Sequence, residues 1–181
     1  YRQNSFIPYD DDIDMVLDIK HLNKELLQAL QHVGFRLEYL YITSSYRGCQ
    51  LPMKYKGLTC DIYFSYQNKD GGAIIDLPLA LENHDWTYSA RLNLFRAKRV
   101  IIPSFQEVCD CKLSGEIIKI PSNSKEILEF LYGSDFMTPK KGANADPPVY
   151  QVPIYENFYK CYPLDFVLEN NLIDVIREKA I

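Results

Sequence analysis

The chain has 181 residues and a net charge of −4, and 47% of its residues are hydrophobic. This length and composition fit one globular domain with a real core, and the missing basic excess argues against a nucleic-acid partner. No stretch approaches the roughly 20 consecutive apolar residues that a membrane helix needs, and the cysteines, an odd number, do not describe a disulfide scaffold.

The first predicted element is a strand over residues 12–18. Apolar residues alternate there with aspartates, and this period of two is typical of a strand with one apolar face and one acidic face. After the strand, the apolar spacing changes to that of an amphipathic helix. We expect Asp18 to cap the start of this helix and Gly34 to end it.

Three strand-like stretches follow, and Gly57 is the expected hairpin turn between the last two. They cover residues 35–43, 50–56 and 58–66. By contrast, residues 67–99 show no clear period, and they contain an expected turn at 70–72 and an expected loop at 83–86.

The rest of the chain is predicted to hold a strand, two helices and a long loop. The strand covers residues 116–120, and the helix after it ends at Gly133. Residues 137–153 contain four prolines and are expected to form an extended crossing loop. A last amphipathic helix covers residues 163–179. The predicted fold class is α+β, a mixed β-sheet with flanking helices.

The most informative stretch is an acidic cluster, because four of the five positions from 10 to 14 carry a carboxylate. Two carboxylates about 4 Å apart repel by roughly 4 kcal/mol at an effective dielectric of about 20. A divalent cation relieves such repulsion. Residues i and i+2 of a strand point the same way, so Asp10, Asp12 and Asp14 share a face suited to Mg²⁺ or Mn²⁺. A solvated acidic loop is the alternative, and it stays open for Asp10 and Asp11.

A second predicted strand supplies a further acid. Asp61 lies between apolar neighbours, where a carboxylate is costly unless it is paired, hydrogen-bonded or bound to a metal. A calcium-binding helix-loop-helix site fits this sequence poorly, because Met15 stands at the required glycine and His21 at the terminal glutamate. The sequence also contains no common glycine-rich motif for cradling phosphates.

The residues around the acidic cluster resemble the signature of the LicD and fukutin family. Asp61 and the segment at residues 131–139 match that family in order, and Tyr9 and the proline pair at 147–148 are similar to its fukutin branch. The similarity extends from residue 2 to residue 150. The string that carries it is Arg2-Gln3 followed by Ile7-Pro8-Tyr9-Asp10-Asp11-Asp12-Ile13-Asp14.

The resemblance implies a nucleotidyltransferase-like fold and an enzyme that moves a phospho-alcohol from a CDP donor onto a hydroxyl of a glycan or glycoprotein. The donor would be CDP-ribitol or CDP-choline, so the transferred group is ribitol phosphate or phosphocholine. Asp12 and Asp14 would bind Mg²⁺ or Mn²⁺ that bridges the CDP phosphates. Asp61 would complete the metal site or accept the proton of the attacking hydroxyl, and we favour the ligand role.

Four cationic side chains are candidate phosphate-binding groups under the same resemblance. Arg47, Lys54 and Lys56 are expected on strands that precede Asp61, from which they could reach the CDP phosphates. Arg2 precedes the acidic string, where the family commonly has an arginine. The alternative for each of them is an exposed side chain without a role.

Family members normally carry a Gly-Thr or Gly-Ser turn just upstream of this arginine, and the chain begins after that point. We therefore expect residues 1–181 to form a single catalytic domain without its N-terminal part, and a membrane anchor is possible upstream. The resemblance implies a lumenal domain of a type II Golgi membrane protein for a eukaryotic source, and a cytoplasmic protein for a bacterial one.

Two other functions stay open. The chain could be a catalytically silent family member that binds a glycan or supports a partner enzyme, although the presence of all three acids argues against this. A sugar-nucleotide glycosyltransferase also uses an Asp-x-Asp metal site, but such folds place a long nucleotide-binding half before the acids. Here nine residues precede Asp10.

Two further groups have both a functional and a structural interpretation. In the loop predicted around His84, Trp86 or Tyr88 could stack on the cytosine or on the acceptor sugar, and packing at the rim of the core explains them equally well. Cys109 and Cys111 could offer two thiolates to zinc, but no second pair at ligand spacing follows them.

Overall fold

The structure, a computed structural model, describes residues 4–6, 12–67, 71–104, 107–138 and 152–180, with the backbone alone at 152–157. Within these ranges, no helix is both long enough and apolar enough to cross a membrane. The strands are β1 Asp12–Asp18, β2 Arg36–Leu37, β3 Tyr39–Thr43, β4 Cys49–Tyr55, β5 Leu58–Gln67, β6 Ala73–Leu79, β7 Phe95–Ile102, β8 Val108–Leu113, β9 Glu116–Pro121 and β10 Val152–Pro163. The helices are α1 Lys24–His32, α2 Trp86–Leu92, α3 Ser124–Tyr132, α4 Leu164–Glu169 and α5 Leu172–Lys179.

Most of these strands form one mixed sheet, in the order β1-β5-β6-β7-β10-β3-β4-β2. Because β5 also pairs with β4, the pairings β5-β6-β7-β10-β3-β4 close into a ring. Strand β1 lies parallel beside β5, and β8 and β9 form a separate hairpin. The nucleotidyltransferase-like arrangement and the extent of the domain stay predictions.

The largest hydrophobic core brings β4 and β5 together with helices α1, α4 and α5. Ile62 and Phe64 of β5 and Val167 of α4 are buried in it, and Ile13 and Leu17 of β1 pack against it. This confirms the predicted strand at residues 12–18. Since side chains alternate along a strand, the core contacts of β1 direct its aspartates to the opposite face.

The helix after β1 begins later than predicted. Asp18 instead caps a 3₁₀ turn at Ile19–His21, and Asn23 caps α1 by accepting a backbone N–H at 2.7 Å. Leu22, which is fully buried, lies in extended backbone between the turn and the helix. The apolar spacing fits a helix that begins after Asp18 as well as one that begins after Asn23. The two starts differ in the packing of Leu22, which the sequence pattern does not show. Gly34 follows the last turn with a φ of +102°, as predicted for a helix end.

Several local predictions of the sequence are confirmed. Lys56 and Gly57 both have positive φ, 49° and 92°, which is the backbone of a tight two-residue hairpin turn between β4 and β5. The strand expected at residues 116–120 is β9, and the helix after it, α3, ends before Gly133.

The prediction of an irregular segment at residues 67–99 is wrong, because β6, α2 and part of β7 lie there. Strand β6 pairs with both β5 and β7 and is buried at three consecutive positions, 74–76, so no alternation of polar and apolar residues marks it. The loop expected at 83–86 is interrupted at its end, where Asp85 caps α2 and Trp86 is the first helical residue.

The C-terminal elements also differ from the prediction. Residues 139–151 of the expected crossing loop lie outside the described residues, and β10 begins at Val152. The single helix predicted at 163–179 is two helices, α4 and α5. Asn171, between them, has a φ of 51°, a left-handed conformation that interrupts a right-handed helix.

One buried ion pair links three strands of the ring. Asp76 of β6, which is 1% exposed, accepts hydrogen bonds from Arg99 of β7 at 2.8 and 3.0 Å and from the hydroxyl of Tyr66 of β5 at 3.0 Å. The hydroxyl of Tyr159 donates to the backbone carbonyl of Asp76. Gly48 leaves the space for this network, because a Cβ there would lie 2.7 Å from the Cβ of Asp76.

We predict that Asp76→Asn lowers the free energy of unfolding by about 3 kcal/mol, because it leaves the Arg99 charge without its carboxylate in a largely buried site. Urea denaturation measures this change. The control is Asp110→Asn, which removes the same charge from the exposed pair with Lys119 and should cost less than about 1 kcal/mol. Equal losses in the two variants would contradict the assignment of Asp76 as a buried anchor of the sheet.

Candidate active site

The pairing of β1 with β5 brings the three predicted acids onto one face of the sheet. The strands are parallel, with Asp14 in register with Asp61 and Asp12 in register with Thr59. Neighbouring strands lie about 4.8 Å apart, and residues two apart on one strand share a face. Asp12, Asp14 and Asp61 are therefore neighbours on the face opposite the main core, and we call this surface the acidic face.

The charges of these acids shift the pKa values of neighbouring groups on β5. Burial raises the pKa of Asp61, a side-chain hydrogen bond from Gln50 opposes that rise, and the charge of Asp12 adds to it. Burial also raises the pKa of Tyr63, two residues further along β5, and the charges of Asp14, Asp61 and Asp12 raise it further. The negative potential of all three carboxylates is thus concentrated around one half-buried part of β5.

Two buried oxygen atoms beside this face have no hydrogen-bond partner among the residues that the structure describes. They are Oδ1 of Asp61 and Oε1 of Gln50, and Gln50 as a residue is 6% exposed. Burying an unpaired acceptor costs free energy, and a cation is the group that satisfies several acceptors at once. The sequence interpretation missed Gln50. The feature that could have pointed to Gln50 is its polar amide between two apolar residues, Cys49 and Leu51, which are both buried.

The side chains of the acids are not drawn together as a closed set of ligands. Among the residues that the structure describes, no three His, Cys, Asp or Glu side chains form a group that could hold a metal ion. Like charges on one face repel, which opposes convergence of the carboxylates on their own. The donor chemistry nevertheless fits, because carboxylate and amide oxygens are the ligands that Mg²⁺ and Mn²⁺ prefer.

The structure separates the predicted phosphate-binding cations. Arg2 lies outside the described residues. Lys54 of β4 pairs in register with Thr59, the partner of Asp12, so it shares the row of the first acid. The prediction that all three later cations lie on strands is wrong, since two of them lie in turns.

Each of these two turns holds its cation over an aromatic ring. Arg47 precedes β4 and stacks over the ring of Tyr66 at 5.3 Å, and Lys56 lies in the hairpin turn over the ring of Tyr55 at 5.1 Å. The two turns are at opposite ends of β4, so Arg47 and Lys56 cannot approach one phosphate group together.

Four aromatic side chains next to the acidic face pack together, and we call this group the aromatic cluster. Tyr41 of β3, in register with Gln50 of β4, lies with its ring centroid 6.1 Å from Trp86 and 5.1 Å from Phe95. Burial raises the pKa of Tyr41, and the nearby charge of Asp61 contributes to that rise. The members of the aromatic cluster are Tyr39, Tyr41, Trp86 and Phe95.

The remaining predicted groups lie in two different parts of the fold. Leu131, the first residue of the family-like segment at 131–139, packs against the same small apolar cluster as Tyr63. Cys109 and Cys111 lie on the separate hairpin as free thiols, and the described part of the chain brings no other metal-binding side chains to them.

Comparison with known proteins gives a distant similarity. Ribitol-5-phosphate transferase FKTN of Macaca fascicularis is 23% identical over 146 residues, which are 78% of this chain and 28% of that protein. The protein of the same name from Homo sapiens is 22% identical over 146 residues, with the same coverage. The chain thus spans 28% of the length of these relatives, and the similarity supports a loose relationship with fukutin. No protein-family model and no solved structure matches the chain.

The raised pKa of Asp61 predicts a pH dependence of stability in a chelating buffer. Between the ordinary value of 3.8 and the raised value, the folded state binds more protons than the unfolded state. The contribution of Asp61 to stability is therefore fully present below pH 3.8 and is lost as the pH rises through the raised pKa. Urea denaturation at several pH values measures this loss.

Asp61→Asn should remove this part of the pH dependence, because asparagine does not titrate. The Asp110→Asn variant, with Asp61 intact, should keep the wild-type profile. Parallel curves for wild type and Asp61→Asn would show that Asp61 has the same pKa in the folded and unfolded chain.

Proposed function

We propose that this chain transfers ribitol phosphate from CDP-ribitol to a hydroxyl of a glycan, with Mg²⁺ or Mn²⁺ held at the acidic face. The observation that carries the proposal is the parallel register of Asp14 with Asp61, which places three carboxylates on one rigid, core-backed face. The similarity to two proteins named ribitol-5-phosphate transferase supports the choice of donor. CDP-choline, with transfer of phosphocholine, is the second donor to test.

In the proposed reaction the acceptor oxygen forms a bond to the phosphorus that carries ribitol. The bond between that phosphorus and the bridging oxygen breaks, its electron pair leaves with CMP, and the proton of the acceptor hydroxyl is released to solvent. A bound divalent cation supplies charge neutralisation for the diphosphate. Asp12, Asp14 and Asp61 would hold that cation, and Lys54, which shares the row of Asp12, would add one positive charge near the phosphates.

The surroundings of Asp61 favour the role of metal ligand over that of general base. Its strand is fixed by the buried Cys60 and Ile62 on either side, and the described part of the chain offers no donor to its buried Oδ1. Phosphoryl transfer through a loose transition state depends more on position and charge than on proton removal. Gln50 would act as a positioning residue, because its amide donates to Asp61 and leaves the other carboxylate oxygen available.

The metal site is tested by thermal unfolding with and without Mn²⁺. We expect saturating Mn²⁺ to raise Tm, because binding to the folded chain stabilises it by about 2.7 kcal/mol at a hundredfold excess over Kd. Asp14→Asn and Asp61→Asn should remove the shift. Gln50→Leu should weaken Mn²⁺ affinity by about 10- to 100-fold, as loss of a supporting hydrogen bond does at metal sites.

Two matched controls accompany these variants. Asp110→Asn removes an exposed carboxylate, and Gln28→Leu replaces an exposed glutamine of α1. Both should keep the full Mn²⁺ shift. Equal shifts in wild type and in the Asp14 and Asp61 variants would remove the metal from this face.

The activity is tested by incubating the chain with CDP-ribitol, Mn²⁺ and a glycan acceptor, and by measuring CMP release together with the mass gain of the glycan. Wild type should show both. If Asp61 is a ligand, Asp61→Asn weakens Mn²⁺ and donor binding together. If it is a base, donor binding persists while turnover falls by roughly 10²–10⁴.

Other outcomes of the same assay replace the proposal. Donor binding without transfer to any glycan by wild type would favour the silent, glycan-binding or partner-supporting family member. Binding of UDP-sugars with no binding of CDP-ribitol or CDP-choline would favour the glycosyltransferase.

A further inference from the structure

We infer that the indole of Trp86 is the platform on which the pyrimidine base of the CDP donor stacks. This inference rests on the proposed function and adds the residue that recognises the nucleoside. Trp86 is the first residue of α2, fixed there by the Asp85 cap, and its side chain has both packed and exposed parts. As a residue it is 45% exposed, although its ring lies 4.6 Å from Phe95 and 6.1 Å from Tyr41.

The supporting rings pack against the indole. Phe95 and Tyr41 are buried and contact each other edge to face, with centroids 5.1 Å apart. A flat aromatic surface that is already ordered loses little side-chain entropy when a base stacks on it, which makes stacking more favourable. Stacking of a base on an aromatic side chain contributes about 1–3 kcal/mol by alanine substitution.

The aromatic cluster lies at the distance from the acids that a nucleotide spans. Asp61 of β5 pairs with Pro52 of β4, and Gln50, two residues before Pro52, pairs with Tyr41 of β3. Tyr41 is therefore two strands, about 10 Å, across the sheet from Asp61 and two residues, about 7 Å, along it. The charge of Asp61 contributes to the raised pKa of both Tyr39 and Tyr41, where burial is the larger cause.

This distance favours the base over the acceptor sugar. The acceptor hydroxyl has to contact the reacting phosphorus directly, so its sugar ring would lie beside the diphosphate. Cytosine is separated from that phosphorus by its ribose and by the α-phosphate. In the register of the strands, Gln50 lies between Asp61 and Tyr41, so the acids and the aromatic cluster are on the same side of the sheet.

The chain allows a direct test, because Trp86 is its one tryptophan, and fluorescence excited at wavelengths that its 14 tyrosines do not absorb reports on this residue alone. We expect CDP, titrated in the presence of Mn²⁺, to change the emission of Trp86, and inorganic pyrophosphate, which has no base, to leave it unchanged. By calorimetry, Trp86→Ala should weaken CDP affinity about tenfold and leave pyrophosphate affinity unchanged. Trp86→Phe should keep most of the CDP affinity.

The control variant is Phe166→Ala in α4, an aromatic residue of similar exposure, 44%, that stacks on Tyr162 away from the aromatic cluster. It should bind CDP and pyrophosphate like wild type, and circular dichroism checks that every variant is folded. CDP binding by calorimetry with unchanged Trp86 emission and unchanged affinity in Trp86→Ala would overturn the inference and leave the proposed function intact. Emission changes caused by the glycan acceptor but not by CDP would also overturn it. Failure of wild type to bind CDP would overturn both.

Discussion

The parallel pairing of β1 with β5 is the constraint on which the candidate site depends. It sets Asp14 beside Asp61, two like charges on adjacent strands, and the register is held from the other face. Ile13 and Leu17 pack against the main core, so a slip of one residue would turn the aspartates of β1 inward and expose its apolar side chains. Packing of the apolar face thus maintains a charge arrangement that repulsion alone would disperse.

Two partly or fully buried aspartates of the same sheet differ in the groups that surround their carboxylates. Asp76 is matched by the guanidinium of Arg99 and the hydroxyl of Tyr66, which compensate the cost of removing its charge from water. Asp61 has the amide of Gln50 and other acids nearby, and its Oδ1 has no donor. The first arrangement stabilises the ring of strands, whereas the second has an excess of acceptors that suits a cation.

The closed ring of strands determines what lies beside the acids. Because β3 follows β4 around the ring, and β10 connects β3 to β7, residues far apart in the chain meet next to the acidic face. Tyr41 and Phe95 come from different strands, and Trp86 comes from the helix before β7. The aromatic cluster therefore lies about two strands away from the acidic face.

Local signals in the sequence were sufficient for the acids and for the elements that carry them. The period of two at residues 12–18, the isolated Asp61 and the Gly57 turn each depend on neighbours along the chain, so the sequence by itself determined β1 with its row of aspartates and the β4–β5 hairpin. The similarity to fukutin likewise rests on ordered motifs. Only the tertiary structure decided how strands distant in sequence pair, because their register depends on packing against the whole core. That pairing placed Asp14 beside Asp61 and brought Trp86 to the aromatic cluster.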